Sequence, residues 1–180
     1  MTPFLLSTVI AATLSGSSDP ALDVTYDLLI RNGRIVDGSG NPWYVGDLAI
    51  RGKRIVAVGR VPRGRAKREI DAKGLVVAPG FIDMHSHSDY LLLEDGHAQS
   101  KIRQGVTTEV LGEGQSAAPN KGKLPPRRMT VSGKEVNWTT LAEYFDTLEK
   151  AGIAVNVASY VGMDNVWMAV MGTSHERPSD

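Results

Sequence analysis

Ala78-Pro79-Gly80-Phe81-Ile82-Asp83-Met84-His85-Ser86-His87-Ser88-Asp89 is where the chain changes character, and its reading decides the fold. Phe81 to Met84 is a short apolar run that leads directly into two histidines spaced i and i+2. On an extended strand that spacing sends both side chains to one face. Two imidazoles side by side in an apolar setting need polar partners, so packing alone explains them poorly. Imidazole is a good ligand for zinc and similar divalent ions. At the C-terminal end of a parallel strand such a pair points into the mouth where barrel enzymes do their chemistry.

Upstream of Pro79 the texture is β. Tyr26–Ile30 and Arg34–Val36 flank Asn32-Gly33, which reads as a hairpin turn. A Gly-Ser-Gly-Asn-Pro turn follows at 38–42. Asp47–Ile50 and Arg54–Val58 pair around Gly52-Lys53, and Glu69–Asp71 and Leu75–Val77 lie on either side of Lys73-Gly74. Short strands at this spacing predict a small β-sandwich or barrel over residues 22–78.

Downstream, strand-like and amphipathic stretches alternate. Residues 97–104 read as a helix closed by Gly105, and Thr107–Leu111 as a second strand. Leu141–Lys150 reads as a helix opened by Thr139-Thr140 and stopped by Gly152, and Ile153–Tyr160 as a third strand. Alternating βα units predict an α/β fold with a parallel sheet or a (β/α)8 barrel. Only 102 of the 180 residues follow Ala78, whereas a closed barrel takes about 250. The expectation for residues 79–180 is therefore the first three or so units of a barrel.

Composition narrows the chemistry. Twenty basic residues balance twenty acidic ones, so nothing favours a nucleic-acid or anionic-membrane partner. The absence of cysteine excludes disulfides, zinc knuckles and a thiol nucleophile, and any metal must be held by His, Asp or Glu. Phe4–Leu14 is an uncharged apolar run followed by small and polar residues. It is too short to span a bilayer, and it makes residues 1–21 a candidate signal peptide, although no basic residue precedes it. The destination is periplasmic or secreted if that segment is a signal, and cytoplasmic otherwise.

The order YDLLIRNGRIVDGSG, VVAPGFIDMHSHSD, QGVTTEVLGEG, NWTTLAEYF and IAVNVASYV resembles the amidohydrolase superfamily, and within it the N-acyl-D-amino-acid deacylases (D-aminoacylases). The resemblance runs from about Tyr26 to Met171. It implies a metal-dependent (β/α)8 TIM barrel preceded by a small β-sandwich module that the C-terminal end of the protein completes. It also implies His85 and His87 as metal ligands. Where many D-aminoacylases have Gly-Asn-Cys-Gly with a cysteine ligand, this chain has Leu111-Gly112-Glu113-Gly114, one residue shorter. Glu113 then stands in as a carboxylate ligand, or else caps a turn between two glycines. Two further histidines and a general-base aspartate are expected beyond this chain. The implied cofactor is zinc, one or two divalent ions. The implied reaction converts an N-acyl-D-amino acid to a carboxylate and a D-amino acid. The alternatives are a cyclic-amide or isoaspartyl-dipeptide hydrolase of the same superfamily, or an inactive fragment.

Other residues are open in the sequence. Asp83 and Asp89 either orient the imidazoles or satisfy loop backbone. His97 reads as a surface or helix-start residue, and His175 as part of a solvated tail. Lys121–Arg128 reads as a solvated basic loop that could alternatively bind a substrate carboxylate.

Overall fold

The computed structural model describes residues 25–178 except Arg63; the candidate signal peptide lies outside the described residues. The chain divides into two compact units, residues 1–79 and 80–180. None of the described helices is long and apolar enough to cross a membrane.

The first unit is a five-stranded sheet built around β1 (Thr25–Ile35). β1 pairs antiparallel with β2 (Tyr44–Arg51), which pairs antiparallel with β3 (Arg54–Gly59). On its other edge β1 takes β4 (Arg65–Asp71) and then β5 (Val76–Val77), both parallel. Tyr26, Leu29 and Ala49 form the buried centre, with Ala57, Val61 and Ala66 packed against them.

Asn32-Gly33 does not turn the chain. β1 runs straight through it with a register shift between Ile30 and Gly33, and the reversal comes later, at residues 36–43. Asn32 takes a left-handed φ of 60°. Its N–H donates to Asp47 Oδ1 at 2.9 Å and its amide donates to Asp71 Oδ1 at 3.0 Å. The dipeptide that would form a two-residue hairpin instead forms a bulge stitched to both neighbouring strands.

The second unit holds a three-stranded parallel sheet in the order β10-β7-β6. Its strands are β6 (Phe81–Asp83), β7 (Val106–Leu111) and β10 (Asn156–Ser159). Two single-turn helices, α1 (Leu91–Glu94) and α2 (Gln99–Ile102), connect β6 to β7. The helix expected over 97–104 is thus only one turn, because Ala98 enters it at a left-handed φ of 44°. Between β7 and β10 lie the hairpin β8–β9 (Arg127–Val131 and Lys134–Trp138) and α3 (Leu141–Ala151); α4 (Met163–Met171) follows β10. The stretch read as a basic loop therefore ends in a strand.

Leu92, Leu93, Leu111, Trp138, Tyr144 and Leu148 form the main core, where helices and hairpin cover the sheet. α3 begins with a capping box: the Glu143 N–H donates to Thr140 Oγ1 at 3.2 Å, and the Glu143 carboxylate accepts from the Thr140 N–H at 3.0 Å. Two buried polar contacts tie this core to the loops at the strand ends. Trp138 Nε1–H donates to the Ala117 carbonyl at 2.8 Å, and the Tyr144 hydroxyl donates to the Asp89 carbonyl at 2.6 Å.

Candidate functional site

β6 ends at Asp83, and the chain bends at Met84-His85 before running past the end of β7. The Ser86 N–H still donates to the Val110 carbonyl at 3.1 Å, so the bend remains anchored to the sheet. Gly80 is required where β6 begins, because a Cβ there would lie 2.1 Å from Thr107 Oγ1.

The bend brings the two imidazoles together. His85 Nε2 lies 3.0 Å from His87 Nε2, with the rings edge to face and their centres 4.9 Å apart. Glu113, two residues past the end of β7, reaches the other nitrogen of His85: its Oε2 is 2.6 Å from Nδ1. Gly112 permits this, since it adopts a φ of 82° and a Cβ there would lie 2.5 Å from the Tyr160 carbonyl oxygen. The three residues singled out in the sequence, His85, His87 and Glu113, thus lie in one chain of contacts, all solvent-accessible. His97 and His175 are not part of it.

This geometry has a chemical direction. A carboxylate on Nδ1 accepts a hydrogen bond from the N–H there and leaves the lone pair of His85 on Nε2. The lone pair then faces the matching nitrogen of His87. Two nitrogens bound to one ion at about 2.0–2.1 Å stand a little over 3 Å apart, so this pair fits a divalent cation. Glu113 approaches from the opposite side of the His85 ring. Among the described residues no group of three or more His, Asp or Glu side chains is arranged to enclose an ion.

Asp83 and Asp89, left open in the sequence, do different things. Asp83 Oδ1 accepts from the His85 N–H at 3.2 Å and Oδ2 pairs with Lys101 Nζ at 2.6 Å. The hydrogen bond from Lys101, and secondly that from His85, holds the Asp83 carboxyl below the usual carboxylate range. Asp89 is 7% exposed, and burial pushes its carboxyl upward.

Several supporting residues gave no signal in the sequence. Ser116 and Asn165 are buried and fix the loop that carries Glu113. The Ser116 N–H donates to Asn165 Oδ1 at 2.8 Å, and Asn165 Nδ2 donates back to the Ser116 carbonyl at 3.0 Å. Glu109 on β7 is fully buried, and Ser86 Oγ donates to its Oε2 at 2.5 Å. The only mark of Glu109 in the sequence is a lone carboxylate in the half-polar strand Val106–Leu111.

Residues 68–172 match the model of the amidohydrolase family. A D-aminoacylase of Alcaligenes xylosoxydans xylosoxydans is 42% identical over 149 residues, which are 81% of this chain and 31% of that protein. Among solved structures, the N-acyl-D-glutamate deacylase of Bordetella bronchiseptica, complexed with zinc and a phosphonate mimic of the tetrahedral intermediate, superposes with a TM-score of 0.75 at 36% identity. That likeness covers 87% of this chain and 33% of the deacylase. A D-aminoacylase structure concerned with a binuclear metal centre superposes with a TM-score of 0.69 at 38% identity, over 81% of this chain and 31% of that one. The chain spans about a third of the length of these relatives.

Proposed function

Because this chain belongs to the amidohydrolase family, we propose that it supplies the first metal-binding strand of a deacylase acting on N-acyl-D-amino acids. The observation that carries the reading is the convergence of His85 Nε2 and His87 Nε2 at 3.0 Å, with Glu113 on the far nitrogen of His85. The relatives that are 36–42% identical support the substrate class, since they are a D-aminoacylase and an N-acyl-D-glutamate deacylase.

In this reading β6, β7 and β10 are the first three strands of a (β/α)8 barrel, and the five-stranded sheet is one layer of a β-sandwich module. His85 and His87 would hold a divalent ion, zinc in the first instance, through their Nε2 atoms, while Glu113 sits on Nδ1 of His85 and would join the ion as a carboxylate ligand only by leaving that contact. A divalent ion bound there supplies Lewis acidity toward the amide carbonyl and toward the attacking water. The protein's own part is to aim the imidazoles: Glu113 fixes the His85 tautomer and ring from Nδ1, and Asp83 holds the backbone at the His85 N–H. The products are a carboxylate and a D-amino acid. The Phe4–Leu14 run, as a signal peptide, would direct the protein to the periplasm or outside.

The test is made on the complete protein, loaded with zinc and assayed with N-acetyl-D-methionine and its L enantiomer. The expected result is hydrolysis of the D enantiomer only, with loss of bound metal or at least about 100-fold loss of rate in His85→Ala and His87→Ala. Unchanged metal content and unchanged rate in both variants would refute the ligand assignment. Hydrolysis of a cyclic amide in place of the N-acyl substrate would refute the substrate class alone.

A further inference from the structure

Behind the imidazole pair lies a polar network of which the proposed chemistry uses only Asp83. Lys101, on α2, reaches toward the segment that carries the histidines and contacts it at two points. Its Nζ is 2.6 Å from Asp83 Oδ2 and 3.3 Å from Ser86 Oγ, so it holds one residue before the bend and one after it. Glu109 lies behind both, 3.9 Å from the Lys101 ammonium and accepting from the Ser86 hydroxyl at 2.5 Å. Ser86 is 3% exposed and Glu109 is completely buried.

Stability does not explain this arrangement. Glu109 Oε1 has no hydrogen-bond partner among the described residues, and a buried ion pair is commonly matched or bettered by apolar side chains of similar size. A buried carboxylate half satisfied is a standing cost, and such costs concentrate where geometry serves function. What the network fixes is the backbone on both sides of His85. Asp83 holds the His85 N–H at 3.2 Å while its other oxygen is held by Lys101. Ser86, the residue between the two histidines, is pinned by its hydroxyl to Glu109 and by its N–H to Val110.

We propose that Lys101 is a positioning residue for the His85–His87 pair: through Asp83 on one side and Ser86–Glu109 on the other it locks the bend that makes the two Nε2 atoms converge. The inference rests on the reading of those histidines as metal ligands. Lys101 touches neither imidazole, and its effect is on the aim of the ligands. Losing a supporting contact of this kind weakens a metal site by about 10- to 100-fold.

The test measures zinc affinity by calorimetry and records the visible spectrum of the cobalt-loaded protein, both on the complete protein. In Lys101→Met combined with Glu109→Gln no unpaired buried charge remains, and Ser86 keeps an acceptor. The expected result is a folded protein with zinc affinity down about 10- to 100-fold and a shifted cobalt spectrum. Asp83→Ala, which changes a residue at the edge of the network, should weaken binding likewise, while Asp83→Asn, which keeps the acceptor for the His85 N–H, should recover part of it. Thr140→Ala serves as the control: it removes the cap of α3 and lowers the melting temperature without touching the bend or the Glu113 loop, and should leave the affinity and spectrum unchanged. Wild-type affinity in Asp83→Ala or in the folded double variant overturns the proposal. An equal loss in Thr140→Ala also overturns it, because general loosening would then account for the effect. A wild-type protein that takes up no zinc overturns the ligand assignment itself, and this inference with it.

Discussion

At the scale of single residues, the candidate site divides into side chains that advertise themselves and side chains that do not. His85 and His87 were legible because i, i+2 spacing after an apolar strand has few explanations apart from a shared face, and their ring nitrogens meet at 3.0 Å. Glu113 was legible only by its place after β7, and its position on Nδ1 of His85 was not deducible from spacing. Glu109 and Lys101 were silent because a single Glu in Thr-Thr-Glu-Val-Leu and a Lys in a polar turn are ordinary; only tertiary packing brings them together. Glu113→Ala should lower divalent-metal affinity about 10- to 100-fold by freeing the His85 ring, and Glu113→Gln, which keeps an acceptor at Nδ1, should lose less. Were Glu113 to leave Nδ1 and bind the ion itself, its carboxylate is a harder ligand than a thiolate, and competition titrations should show manganese or cobalt displacing zinc more readily than at a cysteine-bearing site. Equal affinity in wild type and Glu113→Ala would show that the Nδ1 contact is incidental.

At the scale of elements, periodicity located most strands, and the failures have physical causes. Asn-Gly is the strongest short-range hairpin signal, yet Asn32-Gly33 is a bulge because Asp47 and Asp71 bind it from either side, a long-range influence that no local pattern contains. The β8–β9 hairpin went unseen because its first strand opens with two arginines after Pro125-Pro126. One of those arginines, Arg127, stacks its guanidinium 4.3 Å from the Tyr90 ring centre. α3 was read well, since its cap and stop are local. Thr140→Ala should therefore cost about 1 kcal/mol in a chemical-denaturation comparison. The reciprocal half of the box has a pH signature. The Thr139 and Thr140 N–H groups hold the Glu143 carboxyl below its ordinary value. Its contribution is present above the unfolded-state value near 4.3 and disappears as pH falls through the lower folded-state value. The stability gap between wild type and Glu143→Gln should thus be widest at neutral pH and close as the pH falls through the lowered folded-state value. A gap of constant size across that range would mean that the carboxylate does not serve the cap.

At the scale of the molecule, both units leave apolar surface open. Phe81 and Ile82 of β6 are 65% and 59% exposed, and in the first unit Val45 and Ile55 are 67% and 61% exposed. Apolar surface left open in this way is available to hydrophobic dyes and to self-association. The 180-residue chain on its own is expected to bind such a dye, to self-associate in sedimentation, and to show no deacylase activity. A monomer that excludes dye and turns over N-acyl-D-amino acids would contradict this. The first sheet carries one more consequence, which concerns time. β1 is its central strand, but only β2 follows closely; β4 and β5 join β1 in parallel from about forty residues further along. During synthesis at roughly 5–20 residues per second, the far edge of β1 therefore waits about 2–8 s for its partners to be made. In that interval a chaperone or a neighbouring nascent chain competes for the same edge. Slowing the ribosome between codons 36 and 65 should then lower the yield of folded protein more than slowing it anywhere within α3.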